Sequence, residues 1–356
     1  MPQLNDPQPG NYARSAAVES DRGSPLFTIV IPALNEESVI GRCLDSIAHL
    51  EFPSGNYEVI VVDNGSSDQT REIANSYREA LRLTVLLRPE VNISALRNAG
   101  ASASSGKFLI FLDADMIVPK NWLQRAEALF ISSKAHILGG SFEVPKNSSW
   151  VAHNWFGRKS KGVILSPSYV PSGNLMVSRS HFDSIGGFDE RLRTSEDCDF
   201  CFRARAMGLT MAIYDDIAVM HLGSPQTLMA FFLREIWHGS SVFRVFLLHS
   251  RNFQNGRPVL FAVYTLLCLA MTAVAVVISI LSGHLSLIQP PLALLLLAPL
   301  VLALRNARGR GWRNFPQMFI LFLVYGISRA ISLLGYRSLR SRRSNPADSL
   351  RAVRSR

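Results

Sequence analysis

The chain has 356 residues, 48% of them hydrophobic and 18% charged, with a net charge of +10, enough length for a large core or more than one domain. From residue 251 onward there are fourteen Arg and one Asp, so the residues before that point are slightly acidic and the basic character belongs to an apolar, Arg-flanked tail. That distribution argues against nucleic acid and for a membrane as partner; four scattered cysteines (Cys43, Cys198, Cys201, Cys268) exclude a secreted disulfide framework.

Residues 1–25 are rich in Pro, Asn, Ser and Gly without an apolar core, which predicts a disordered N-terminus and no signal peptide. FTIVIPAL (27–34) reads as a buried strand, and residues 37–50 carry apolar side chains at helical spacing. YEVIVVDNGSSD (57–68) repeats the theme of strand and polar turn ahead of a helix opening DQTREI. LTVLLRP (83–89) predicts a third strand, ISALRNAGASASSG (93–106) a helix of small residues, KFLIFLDAD (107–115) a fourth strand, and WLQRAEALFISS (122–133) an amphipathic helix. Such alternation predicts an α/β, Rossmann-like domain with a parallel sheet and helices on both faces. Ligands in these sheets sit at the carboxyl ends of the strands. Asn35 with Glu36, Asp63 with Asn64, and Asp113 with Asp115 all fall just past those ends.

From about 134 to 225 the pattern is less regular. ILGGSFEVP and YVPSGNLMVSR read as strands, and EDCDFCFRARAMG (196–208) as a helix ended by Gly208 with Arg203 and Arg205 in its last turn. Cys198 and Cys201 form a C-x-x-C inside that helix with no second pair, so neither zinc nor redox chemistry is expected of them. Residues 26–225 are thus expected to form the catalytic domain. TLMAFFLREIWHGSSVFRVFLLH (227–249), within a region bounded at 226–256, is too polar to span a bilayer and suits a helix on the membrane surface or one packed on that domain.

The tail holds two uncharged stretches, 258–282 and 285–304, each long enough to span a bilayer, and a third apolar stretch, 315–336, interrupted by Arg329. Arg251 and Arg257 precede the first, Arg305, Arg308, Arg310 and Arg313 follow the second, and the intervening SGHLS has no basic residue. The positive-inside rule then places the body in the cytosol with two spans, and the third stretch lying in the interface or re-entering; three spans is the alternative. The resulting expectation is a multi-pass protein of the cytoplasmic (inner) membrane with a cytosolic catalytic domain and a basic cytosolic tail, 337–356.

Two carboxylates at i and i+2 beyond a strand can share one divalent cation, Mg2+ or Mn2+, whose shell is completed by phosphate oxygens. TIVIPALNEE (28–37), VVDNGSSDQT (61–70), LRNAGASASSGKFLIFLDADM (96–116), SGNLMVSRSHFDSIGGFDE (172–190) and SEDCDFCFRARAMG (195–208) appear in that order. The sequence over roughly 26–223 resembles the inverting glycosyltransferases of family 2, which have the A-type glycosyltransferase fold. The resemblance implies that Pro32, Ala33, Asn35, Glu36, Asp63 and Asn64 hold the nucleotide, with Asp63 accepting from the base. It also implies that Arg97 pairs with the diphosphate, Gly100 and Ala101 permit close approach, Asp113 faces ribose or metal, and Asp115, with His221 of VMHLG, ligates the metal. Asp197 of SED becomes the base, with Glu196 or Asp199 able to substitute; Ser172, Gly173, Asn174 and Glu196 would line the sugar and acceptor pocket. Arg234 and Trp237 of REIWHG stand where processive synthases of the family carry Q-x-x-R-W; its absence favours transfer of one sugar at a time.

The expected activity is metal-dependent transfer from a nucleotide-diphosphate sugar to a hydroxyl on a glycan or lipid-linked acceptor, with inversion. Two alternatives stand beside it: a polyprenyl-phosphate glycosyltransferase, whose anionic acceptor depends less on a base, and a non-catalytic nucleotide-sugar-binding membrane scaffold.

Overall fold

A computed structural model describes residues 24–157, 162–249 and 256–335. The elements run β1 (Phe27–Ala33), α1 (Ile40–Ala48), β2 (Tyr57–Asp63), α2 (Thr70–Ser76), β3 (Leu83–Leu87), α3 (Ile93–Ser102), β4 (Phe108–Leu112), β5 (Met116–Ile117), α4 (Trp122–Ser132), β6 (Ile137–Glu143) and α5 (Trp150–Trp155). They continue through β7 (Ile164–Leu165), β8 (Asn174–Ser178), α6 (Arg179–Ile185), α7 (Glu196–Ala206), β9 (Met211–His221), α8 (Leu228–Gly239), α9 (Val242–Leu248), α10 (Arg257–Ser282), α11 (Gln289–Arg310) and α12 (Phe315–Leu333). The expectations for 1–23 and for the basic tail from 336 on lie outside the described residues. The chain divides into two compact units: residues to 145 with 159–223, and residues 146–158 with those from 224 on.

The first unit is built on one sheet in the order β3-β2-β1-β4-β8-β6-β9-β5, with β7 also paired to β9. β1 and β4 are buried along their whole length, which is why their sequences are unbroken apolar runs rather than alternating ones. β1 to β4 are parallel, as the strand–helix alternation requires. The expected parallel sheet holds through β4, and the pairing changes in the less regular region beyond it. β8 enters between β4 and β6 and runs antiparallel to both, so the sheet is mixed. Two apolar layers cover its faces, one around Ile31, Leu44, Ile110 and Trp122, the other around Val62, Phe111, Phe182 and Phe200.

The second unit gathers α5, α8, α9 and the three apolar helices α10, α11 and α12, all three long and apolar enough to cross a membrane. The third stretch, expected to lie in the interface or re-enter, is therefore as continuous a helix as the other two. Its interrupting charge is neutralised within the unit: Arg329 Nη2 lies 2.7 Å from Glu235 Oε2 of α8, with both side chains largely buried.

Candidate functional site

β4 delivers the acids. Its five residues are buried, Ala114 continues into the core, and Asp113 and Asp115 on either side of it are partly exposed. Residues 113–115 form the turn between β4 and β5, closed by Met116 N donating to Asp113 O at 3.2 Å. β5 then pairs antiparallel with the end of β9, setting Met116 opposite His221. That pairing closes a separation of 106 residues and leaves His221 Nε2 3.1 Å from Asp115 Oδ2. The Leu222 amide donates to Asp115 O at 2.9 Å. Two glycines make room: a Cβ on Gly223 would stand 1.9 Å from Asp115 Oδ2, and one on Gly173 2.6 Å from Asp113 Oδ2. Gly223 carried no sequence signal beyond being a glycine two residues after His221.

Arg97 ties this end of β4 to α7. α3 is capped by Asn92, whose side chain accepts from Ala95 N at 3.0 Å, and Arg97 in its second turn is only 2% exposed. Its Nη2 donates to Asp113 Oδ1 at 2.7 Å and its Nη1 to Glu196 Oε1 at 2.6 Å. Ser172 Oγ donates to the same Glu196 oxygen at 3.0 Å. Burial works against the guanidinium charge, but Asp113, Glu196 and Asp197 outweigh it and raise the Arg97 pKa above its ordinary value. Arg97 was expected on a diphosphate; two terminal nitrogens are committed instead to carboxylates of the protein.

α7 starts from Ser195 in the left-handed region, φ +61°, a conformation costly for a residue with a Cβ. Asp197, second in the helix, is half-buried. Its Oδ1 accepts from Cys198 N at 2.8 Å and its Oδ2 from Ser172 N at 3.3 Å. Burial, and then repulsion by Glu196, push its carboxyl up to about 7 against the opposing pull of Arg97 and the two amides. The two neighbours considered as substitutes are engaged elsewhere: Glu196 with Arg97 and Ser172, and Asp199 with Arg203 Nε at 2.9 Å. The C-x-x-C thiols are both free.

At the exits of β1 and β2 the loops are stapled to each other. Pro32 and Ala33 are buried inside β1, in register with Val62 and Asp63. Asn35 adopts φ +54°, which asparagine tolerates better than most residues. Its Oδ1 accepts from Ser67 N at 2.9 Å, and its own amide donates to Ser66 Oγ at 2.9 Å. Glu36 N donates to Thr70 Oγ1 at 2.7 Å. Asp63 is fully buried; its Oδ1 accepts from Gly65 N and Ser66 N, both at 3.0 Å, while Oδ2 has no hydrogen-bond partner. Asn64 exchanges two hydrogen bonds with the backbone of Val91, at 3.0 and 3.1 Å.

Packing fixes the surroundings of four further expected site residues. Gly100 does not open space for a ligand: a Cβ there would lie 2.3 Å from Val30 Cγ1 and 3.1 Å from Val62 Cγ2, so the glycine lets α3 sit against the sheet, with Ala101 buried beside it. Asn174 is fully buried in β8; its Nδ2 donates to Ile217 O at 2.8 Å, and its Oδ1 has no hydrogen-bond partner. Arg234 and Trp237 belong to the second unit, where Arg234 Cζ sits 4.9 Å from the Phe156 ring centroid and its Nε donates to His238 Nε2 at 3.2 Å. Trp237 is 41% exposed.

The family model for Glycosyl transferase family 2 matches residues 28–188. Glycosyltransferase AglE of Haloferax volcanii is 30% identical over 207 residues, 56% of this chain and 68% of that protein. A PGL/p-HBAD biosynthesis glycosyltransferase of Mycobacterium tuberculosis is 28% identical over 204 residues, 54% of this chain and 78% of its own length. Among solved structures, the mannosyltransferase PcManGT from Pyrobaculum calidifontis in complex with GDP-Man and Mn2+ superposes with a TM-score of 0.62. It covers 93% of this chain and 96% of that one at 18% identity, which is a likeness of fold. The mixed sheet with its acids past the strand ends is therefore an A-type glycosyltransferase domain. The chain belongs to glycosyltransferase family 2.

Proposed function

We propose that this family-2 enzyme transfers a sugar from a nucleoside-diphosphate donor to a hydroxyl of a glycan or lipid-linked acceptor, with inversion at the anomeric carbon. The observation that carries the reading is the Arg97 node. It brings Asp113, from the fourth strand, and the first turn of α7, with Asp197, to one place from 84 residues apart in sequence. Asp197 is the proposed base: it takes the acceptor proton as the hydroxyl oxygen attacks the anomeric carbon from the face opposite the diphosphate. A single displacement of this kind inverts the configuration. A proton affinity near neutrality suits that task, and it serves a hydroxyl acceptor better than a lipid phosphate, which arrives already anionic. Asp63 Oδ2, buried without a partner, is an acceptor placed for an N–H of the donor base, with Asn35, Glu36 and Asn64 shaping the loops around it.

Among the described residues no three His, Cys, Asp or Glu side chains cluster closely enough to hold a metal ion by themselves. Asp115 and His221 nevertheless fit as a partial set. His221 Nε2 and Asp115 Oδ2 lie 3.1 Å apart, so an imidazole and a carboxylate would face one ion together. Mg2+ and Mn2+ commonly accept few protein ligands and fill their shells with phosphate oxygens and water. Asp115 and His221, with Asp113 nearby, would hold the ion, and when bound it would offset the negative charge that builds on the departing diphosphate. Apolar helices in the second unit support a membrane anchorage, with the catalytic domain on the cytosolic face of the inner membrane, where nucleotide sugars are found.

The test is release of nucleoside diphosphate from a panel of nucleotide sugars by detergent-solubilised protein with membrane-lipid extract and Mn2+. The wild type, Asp115→Asn and Asp197→Asn are run side by side. Turnover with a donor, lost in both variants, is expected. Turnover that survives Asp197→Asn would assign the proton acceptor elsewhere and favour the lipid-phosphate acceptor.

A further inference from the structure

Length and composition allow α10, α11 and α12 each to cross a bilayer, but the contacts of α12 are not those of a span. One side of it is covered along nearly its whole length by two segments from earlier in the chain. Near its start Asn154 Nδ2 of α5 donates to Gln317 Oε1 at 2.7 Å. In its middle Trp155 packs on Phe322 and Tyr325, with ring centroids 5.6 and 5.2 Å away, and on Phe231 of α8 at 4.8 Å. Towards its end Arg329 pairs with Glu235, and Ser332 Oγ donates to Ile236 O at 3.0 Å. A Cβ on Gly239 would stand 2.4 Å from Ser332 Oγ, so α8 approaches closely there. The covered stretch, residues 317 to 332, corresponds to about 22 Å of helix.

The other contacts of α12 fall at one end of the α10–α11 hairpin. Tyr325 stacks on Phe261, and Gly326 lies against Phe261 and Thr265, near the start of α10. Met318 and Leu321 cluster with Ala303, in the second half of α11. Four of the five buried residues of α10, Val259, Ala262, Thr265 and Cys268, lie in its first half; beyond them Ser279 is buried, whereas Val274, Val277, Ile280 and Leu281 are exposed. The far half of the hairpin is apolar and, apart from Ser279 and Leu295, largely exposed, while the side chains that α12 packs against lie towards its open end.

We propose that α12 does not cross the membrane. It lies at the bilayer surface on the side that carries residues 24–249, and the chain crosses twice, through α10 and α11. Among the described residues no helix before Arg257 is long and apolar enough to span, so α5 and α8 reach the bilayer from that side only. Were α12 set across the hydrocarbon, α5 and α8 would be drawn in beside it over its full depth, with Arg234, Glu235, His238 and Asn154. Ionised groups at bilayer depth are costly and rarely face lipid. In the interface the same residues lie outside the hydrocarbon, and the largely buried Arg329–Glu235 pair clamps α12 to α8. Exposed Trp312, just before α12, suits a headgroup-level anchor. The arrangement also keeps Arg257, before the first span, on the same side as Arg305, Arg308 and Arg313, after the second, as positive-inside asymmetry favours.

The experiment uses the full chain with GFP or alkaline phosphatase fused at the N-terminus or after residue 356, in bacterial cells. A His284→Cys variant is labelled from outside with a membrane-impermeant maleimide against the wild-type background. Both ends reporting one side, with residue 284 labelled from the other, is expected. Ends on opposite sides, a mixture of sides at the C-terminus, or residue 284 on the same side as both ends would each overturn the proposal. None of these readouts uses catalysis, so the topology can fail while the proposed transfer reaction stands, and the reverse.

Discussion

Asp197→Asn should abolish transfer and at the same time stabilise the fold, more so at alkaline pH. The folded state raises the Asp197 carboxyl from its ordinary value to about 7. A raised carboxyl means that the folded state keeps a proton the unfolded chain gives up, so this group contributes a stability loss that begins above pH ~4 and is complete above the folded value. Between pH 5.5 and 7 the loss accrues at up to about 1.4 kcal/mol per pH unit. Wild-type protein therefore loses about 2 kcal/mol from this residue between pH 5.5 and 8.5, a loss the uncharged amide does not suffer. The variant forfeits one acceptor, because Cys198 N and Ser172 N bond different carboxylate oxygens, at about 1 kcal/mol. That deficit is the same at both pH values and cancels in the comparison. For a domain of this size the differential corresponds to roughly 4–8 °C in Tm. Thermal unfolding of both proteins in the same detergent at pH 5.5 and 8.5 measures it, and the variant's advantage should widen by that amount at the higher pH. An equal Tm difference at the two pH values would refute a perturbed Asp197. In the same preparation kcat/KM of the wild type should rise tenfold per pH unit below 7 and level off above it.

Arg97→Met leaves Glu196 buried without its counter-charge, which should cost about 3–5 kcal/mol and lower Tm by roughly 6–20 °C; a Tm within a few degrees of wild type would mean that Glu196 finds water. Gly223→Ala should displace the Asp115 carboxylate, whose Oδ2 the new Cβ would meet at 1.9 Å, and part it from His221. Mn2+ titration by calorimetry in the presence of nucleoside diphosphate should show affinity down about tenfold or more, and unchanged affinity would remove Asp115 from the ligand set. Gly100→Ala forces a methyl against Val30 and Val62 and should cost about 1–3 kcal/mol while leaving donor KM near wild type; a raised KM at unchanged Tm would restore the ligand-facing role.

Local pattern determined much of this protein. The apolar runs 27–33, 57–63 and 108–112 encode strands buried on both faces, and a buried run must end where the polar residues begin. Asp63, Asp113 and Asp115 could therefore be placed past strand ends by reading alone, and family motifs pointed to Asp197 and His221. What chain pattern does not encode is which distant segment becomes a neighbour. The antiparallel insertion of β8 beside β4, the β5–β9 pairing that carries His221 to Asp115, and the commitment of Arg97 to carboxylates 16 and 99 residues away follow from sheet order. The same holds for the packing around Gly100 and Asn174. A glycine in a small-residue helix looks alike whether it faces a ligand or a valine, and an asparagine after S-G looks alike in a pocket or in a core. Only the tertiary structure decided those, because close packing is settled by atoms from several segments meeting at once, and no one segment carries that information.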